Sequence, residues 1–187
     1  MNDRLAADDG VGCETRAVDW PSPEELAEHF VRPWYLDMMR LNACEYGSRL
    51  APEIARVAVE ASDDILVRLL RLGWRERVMG AWMSVIHKSD LLTAEILRQL
   101  EGSHGSLEAP PLATAAVVLA GADSMGSLAK YYEADLAADW GAASFIQQAA
   151  QYVRDAFGTP SSIPPTPDSR DRDFDLMIAV AQSIESG

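Results

Sequence analysis

The chain has 187 residues, of which 48% are hydrophobic and 24% charged, a balance that builds one self-supporting globular domain and argues against both a disordered polymer and a second full domain. Its 29 acidic and 16 basic side chains leave a formal net charge of -13. That charge argues against nucleic acid or an anionic membrane as a partner, since either needs clustered lysines and arginines to displace counterions, and leaves two readings: acidity that only keeps the protein soluble, or a basic protein partner.

Residues 1–21 are acidic, contain glycine and show no hydrophobic period, and the expectation is a flexible acidic leader. Asp3, Asp8, Asp9 and Glu14 stand where a secretory signal would carry basic and then apolar residues, which points to a cytoplasmic protein. Structure is expected from Ser22. The run Ser22-Pro23-Glu24-Glu25 offers a capping hydroxyl, a proline at the first helical position and a glutamate at the third. Arg32-Pro33 ends that short helix, and Pro33 can open another that carries Trp34, Tyr35, Met38 and Met39.

From Pro52, the positions Ile54, Val57, Ala58, Ala61, Ile65 and Leu69 follow a 3.6-residue period that predicts one helix ending at Gly73. Arg68, Arg71, Arg75 and Arg77 crowd nearby and read as structural, with Asp64 four residues before Arg68. Val78, Trp82, Val85 and Ile86 mark the next helix, and Leu92, Ile96, Leu97 and Leu100 another after a break at Ser89-Asp90. A Gly/Ser/Pro-rich loop over 102–110 leads to a second pair, 111–120 and 124–136. Its predicted inner stripe is Leu112, Ala115, Ala116 and Leu119, then Met125, Leu128, Tyr132 and Leu136. A further helix is expected from Asp139, as cap, to Phe157.

The fold class expected is therefore all-α: antiparallel helix pairs in a HEAT-like helical repeat or an irregular bundle. Gly80-Ala81-Trp82 and Thr114-Ala115-Ala116 lie 34 residues apart, inside the range of two-helix solenoid units, which makes the repeat the preferred reading, although small residues at helix contacts also suit a bundle. The helical domain is placed at 22–157. Pro160, Pro164, Pro165 and Pro167 mark 158–173 as a linker, and Phe174, Met177, Ile178, Ala181 and Ile184 make 174–187 an amphipathic helix able to dock on the body. The apolar run around 113–122 is about half the ~20 residues of a membrane span.

Signals for chemistry are weak. Val117 to Gly126 resembles a strand turning into a nucleophile elbow at Ser124, but Ala122 replaces the first elbow glycine, and His29, His87 and His104 all precede the serine, so Asp123 as a helix cap is the simpler reading. Glu101-Gly102-Ser103-His104 has metal-ligand spacing but sits in a glycine-rich loop with no second motif. His87, next to Lys88, reads as a cation at a helix end. Cys13 and Cys44 form neither a disulfide framework nor a zinc pattern. No catalytic residue, metal or cofactor is expected.

Two further features direct the reading toward a partner. Between Gln99 and Val153 the acids Glu101, Glu108, Asp123, Glu133, Asp135 and Asp139 face Lys130 as the only base. These six, with Trp140 as an aromatic anchor at a helix boundary, are the expected partner-binding residues.

Phe30-Val31-Arg32-Pro33-Trp34-Tyr35-Leu36, together with Gly73-Trp74-Arg75-Glu76-Arg77 and Gly80-Ala81-Trp82, resembles an uncharacterised bacterial helical-repeat family over residues 30–157. Small acidic helical proteins of this kind are also similar to the immunity proteins that bacteria encode beside contact-delivered toxins. The resemblance implies a non-enzymatic inhibitor that covers a basic toxin domain. The fourteen arginines against two lysines fit a GC-rich bacterial origin. A scaffold that holds a peptide or partner helix is the alternative, and a homodimer is left open.

Overall fold

In a computed structural model the described residues are 21–166 and 172–187. The expected leader over 1–20, and the part of the expected linker over 167–171, lie outside them. Among the described residues all regular structure is helical, as the hydrophobic periods predict.

Helix α1, Pro23–Phe30, starts as its capping box dictates: the Ser22 hydroxyl accepts from Glu25 N at 3.2 Å, and Glu25 Oε2 accepts from Ser22 N at 2.7 Å. The short α2, Tyr35–Met38, follows. Helix α3 runs Asn42–Ala58 with Pro52 inside it, and α4 runs Asp63–Arg71. The single helix expected from Pro52 to Gly73 is therefore two. Ser62 is extended and its hydroxyl accepts from Ile65 N at 3.3 Å, so a new helix starts there while the apolar stripe stays in phase across the turn.

Helix α5, Trp74–His87, is buried without interruption from Val78 to Val85. Helix α6, Asp90–Gly102, is capped by Ser89. Helix α7, Ala109–Ala120, is buried from Ala109 to Val117 and gives way at Gly121, where φ is 52°, to a 3₁₀ turn, Gly121–Ser124. Helices α8, Met125–Ala138, α9, Ala143–Phe157, and α10, Asp173–Ser186, complete the set. The stretch Ala109–Ala138 has the length and mean hydropathy, 1.4, of a membrane span, but 56% of its most apolar window is buried in the body.

Helix α10 does dock on the body, along α3 and against α5, α7 and α9, with Phe174, Met177, Val180, Ala181 and Ile184 buried. Gly47 permits the close approach to α3, since a Cβ there would lie 2.6 Å from Val180 Cγ1. This arrangement favours the irregular bundle over the solenoid: each unit of a solenoid touches only its neighbours, whereas α10 packs on helices from along the whole chain. Trp82, fully buried, donates from Nε1 to the Met38 carbonyl at 2.9 Å and so ties α5 to the end of α2.

Arg71 of the arginine cluster is structural. Its Nη2 donates across to Glu95 Oε2 of α6 at 2.8 Å, and Arg98 and Gln99 donate to the same buried carboxylate. Burial pushes the Glu95 carboxyl up, yet the hydrogen bonds from Arg71, Arg98 and Gln99 together outweigh it and hold the pKa at about 2. A depressed carboxylate pKa stabilises the fold fully above the unfolded-state value and loses that contribution as pH falls toward the folded one. Both arginines are more than half exposed, so the expected contribution is on the order of 2 kcal/mol. Urea denaturation from pH 6 to pH 3 should show this loss below about pH 4.5, and Glu95→Gln should flatten the acid limb; an unchanged limb would refute the assignment.

Candidate partner-binding surface

The expected surface centres on α8, and its geometry follows from which side chains that helix turns inward. Met125, Leu128, Tyr131 and Asp135 are buried, at the spacing that lines one face of a helix. The inner stripe predicted through Tyr132 and Leu136 is thus out of phase by one residue in its second half. Tyr132 is half-buried and accepts from Gln147 Nε2 at 3.2 Å, and Leu136 is 59% exposed. The polar pair Tyr131 and Asp135 takes the inner positions because each has partners there.

Asp135 is therefore not a surface contact. Its Oδ1 and Oδ2 accept from Ala142 N at 3.0 and 3.2 Å, serving the start of α9, and the Tyr131 hydroxyl lies between that carboxylate and the Gly105 carbonyl at 3.4 and 3.1 Å. Burial, and then the negative charge of Asp135, push the Tyr131 hydroxyl well above the usual phenol range, so it stays a donor. Asp139 is not the cap of α9. It terminates α8 in the left-handed conformation, φ 55°, which a short polar side chain tolerates.

Glu108 is also an interior residue. Its Oε1 accepts from Arg77 Nη1 and from Ser103 Oγ, both at 2.7 Å, while Arg77 donates onward to the carbonyls of Leu70 and Leu72 at 3.1 and 3.2 Å. Arg77 thus ties the end of α4 to the loop before α7. Glu101 is on the surface but engaged: it accepts from Ser127 Oγ at 2.8 Å and Lys130 Nζ at 2.9 Å, joining α6 to α8. The Lys130 hydrogen bond lowers its carboxyl pKa.

Asp123, Glu133 and Asp139 remain. All three are exposed, with no ion-pair partner among the described residues. They are strung along about 24 Å of α8 and the turn before it. Leu136 stands between Glu133 and Asp139, and the only base on this helix, Lys130, is held by Glu101. Trp140 is half-buried beside the same corner, its ring centroid 5.8 Å from Tyr131 and 5.3 Å from His104.

The candidate chemical groups are engaged separately. The Ser124 hydroxyl is buried and donates to the Gly121 carbonyl at 2.6 Å, and neither the 3₁₀ turn nor α8 takes a side-chain cap, so Asp123 caps nothing. His104 packs on Trp140 while Glu101 turns to Lys130, so that pair diverges. His87 bridges helices instead of sitting free at a helix end: Nε2 lies 3.0 Å from the Ala58 carbonyl and Nδ1 3.0 Å from Asp63 Oδ1. Among the described residues no three metal-ligating side chains gather.

A concave feature lies on another face. A groove of about 630 Å³ runs between α1, α2 and the start of α5, with Ala27, Val31, Tyr35 and Leu36 as its apolar lining and Arg75 at its edge. Tyr35 and Trp74 meet edge to face at 5.8 Å, and the Arg75 guanidinium lies 4.5 Å from the Trp74 ring centroid and 5.4 Å from that of Tyr35. The two aromatic motifs of the sequence are here one structure, which neither segment could announce alone. Compared with protein-family models, curated proteins and solved structures, the chain matches none of them.

Proposed function

We propose that the protein works by binding, in the cytoplasm, a basic partner protein through the outer face of α8, as an immunity-type inhibitor that covers a toxin domain. The observation that supports this reading is the exposed Leu136 flanked by the uncompensated carboxylates of Glu133 and Asp139, with Asp123 at the other end of the helix, in a chain of net charge -13. An apolar side chain ringed by like charge is the anatomy of a contact in which the centre is desolvated and the rim selects the partner. The carboxylates steer association, and Leu136 with Trp140 supplies contact area.

Replacing Asp123, Glu133 and Asp139 together by lysine should slow association with the basic partner about 10- to 100-fold at low salt and reduce the salt dependence of the rate. The fold should persist, because none of the three side chains is hydrogen-bonded or ion-paired within the bundle and the strain of lysine in the left-handed conformation at 139 costs only about 1–2 kcal/mol. Stopped-flow association traces that coincide for the two proteins would sink the assignment.

The groove supports a second reading, a non-enzymatic adaptor that holds a segment of a partner. A groove of this volume that sets Ala27, Val31, Tyr35 and Leu36 beside charged side chains suits a short segment carrying both apolar and polar groups.

A further inference from the structure

Four charged side chains line the groove beside α1, and three of them are accounted for. Arg32 is paired to both Glu24 and Glu28. Glu76 turns back over the start of its own helix, where Gly73 leaves it room: a Cβ on Gly73 would lie 2.7 Å from Glu76 Oε2. A carboxylate at the third position of a helix is stabilised there by the unpaired amides of the first turn. Arg75 is left. It has no carboxylate partner among the described residues, and its guanidinium carbon lies over Trp74 and near Tyr35 with its planar donor fork unspent.

A guanidinium held against aromatic rings has lost much of its rotamer freedom before any ligand arrives, so a bidentate contact to a carboxylate costs less ordering there than at a free arginine. Beside it, Leu36 is 56% exposed and half-buried Tyr35 adds apolar surface, over a floor closed by the buried Val31 and Ala27. Arg, Tyr and Trp are also the residues over-represented where binding energy concentrates.

We propose that this groove binds a segment of another protein in which a carboxylate sits beside a large apolar side chain, the carboxylate going to Arg75 and the apolar group to the floor formed by Val31, Tyr35 and Leu36. The proposal rests on the adaptor reading of the groove and adds the chemistry of its occupant. The site is separate from α8, and the charge it would use, on Arg75, is opposite in sign to those of Asp123, Glu133 and Asp139. At physiological salt the Debye length of about 8 Å screens the acids outside the groove from a ligand at Arg75, and within it Glu24 is paired to Arg32 and Glu76 is turned to the start of α5.

The test is a calorimetric titration of the full-length protein, at physiological salt, with a capped hexapeptide of alternating leucine and aspartate and with its counterpart carrying lysine for aspartate. The acidic peptide should bind at least tenfold more tightly than the basic one. Arg75→Gln should weaken it roughly 10- to 100-fold, the range of a charge-assisted hydrogen-bond pair. Leu36→Ala should weaken it with the charge intact, and the Asp123, Glu133 and Asp139 triple variant should bind it as the parent does. Equal or tighter binding of the basic peptide, or indifference to Arg75→Gln, overturns the assignment of the occupant while leaving a peptide groove. Absence of binding by both peptides overturns the adaptor reading with it. A heat of dilution showing that the protein self-associates through Leu36 would mean that a second copy fills the groove, and overturns the proposal as well.

Discussion

Arg77→Met is expected to destabilise the protein by about 3–5 kcal/mol, the cost of leaving a buried carboxylate without its counter-charge. Glu108 is 5% exposed and depends on Arg77 and Ser103 for its hydrogen bonds, and its Oε2 has no partner to fall back on among the described residues. The substitution also releases the Leu70 and Leu72 carbonyls at the end of α4. Removing both charges, as Arg77→Met with Glu108→Leu, should recover a large part of the loss, because two apolar side chains of similar size leave no uncompensated ion behind. Urea denaturation of the single and double variants gives the comparison. A single variant that loses under about 1 kcal/mol would show that the pair contributes little and that Glu108 can reach water.

Trp82→Ala should cost a similar amount, about 3–5 kcal/mol, by a different route. The side chain is fully buried at the centre of α5, a helix packed against α2, α3, α4, α7 and α10, and its loss leaves a cavity that helices fixed on several sides cannot collapse to fill. Trp82→Phe separates the two contributions. It keeps much of the volume but leaves the Met38 carbonyl without its donor, so it should cost about 1–3 kcal/mol. Thermal melts of the two variants rank them; a Phe variant as unstable as the Ala variant would mean that the hydrogen bond, not the packing, dominates.

These residues also show what the sequence discloses about itself. Helix starts are legible where a hydroxyl and a glutamate stand at fixed offsets, as at Ser22 and Glu25, because the contact is local. Ser62 begins a helix as surely but is hidden inside a stripe that keeps its phase across the turn from α3 to α4. The α8 face is misread by one residue because its inner positions include Tyr131 and Asp135, polar side chains whose partners Gly105 and Ala142 come from outside the helix. Periodicity counts apolar residues, and a buried carboxylate is invisible to it.

The candidate surface was legible in composition and not in detail. Six acids against one base over Gln99 to Val153 is a property of the sequence, yet Glu108 and Asp135 are spent inside the bundle and Glu101 is spent on Lys130. What remains exposed and unpaired is half the set, accompanied by Leu136, which the helical period had assigned to the core. The groove at Arg75 required Tyr35 and Trp74 to meet, a contact fixed by the packing of α1 and α2 on α5 and by nothing within either segment.

The central claim, a basic partner held on the outer face of α8, is tested most directly by paired affinity capture from the native cells at moderate salt, with the parent protein and the Asp123, Glu133 and Asp139 lysine variant as baits, compared by quantitative mass spectrometry. The account predicts one strongly enriched basic protein with the parent bait that is absent or greatly reduced with the variant. Recovery of the same proteins by both baits, or a captured partner that is itself acidic, would contradict it.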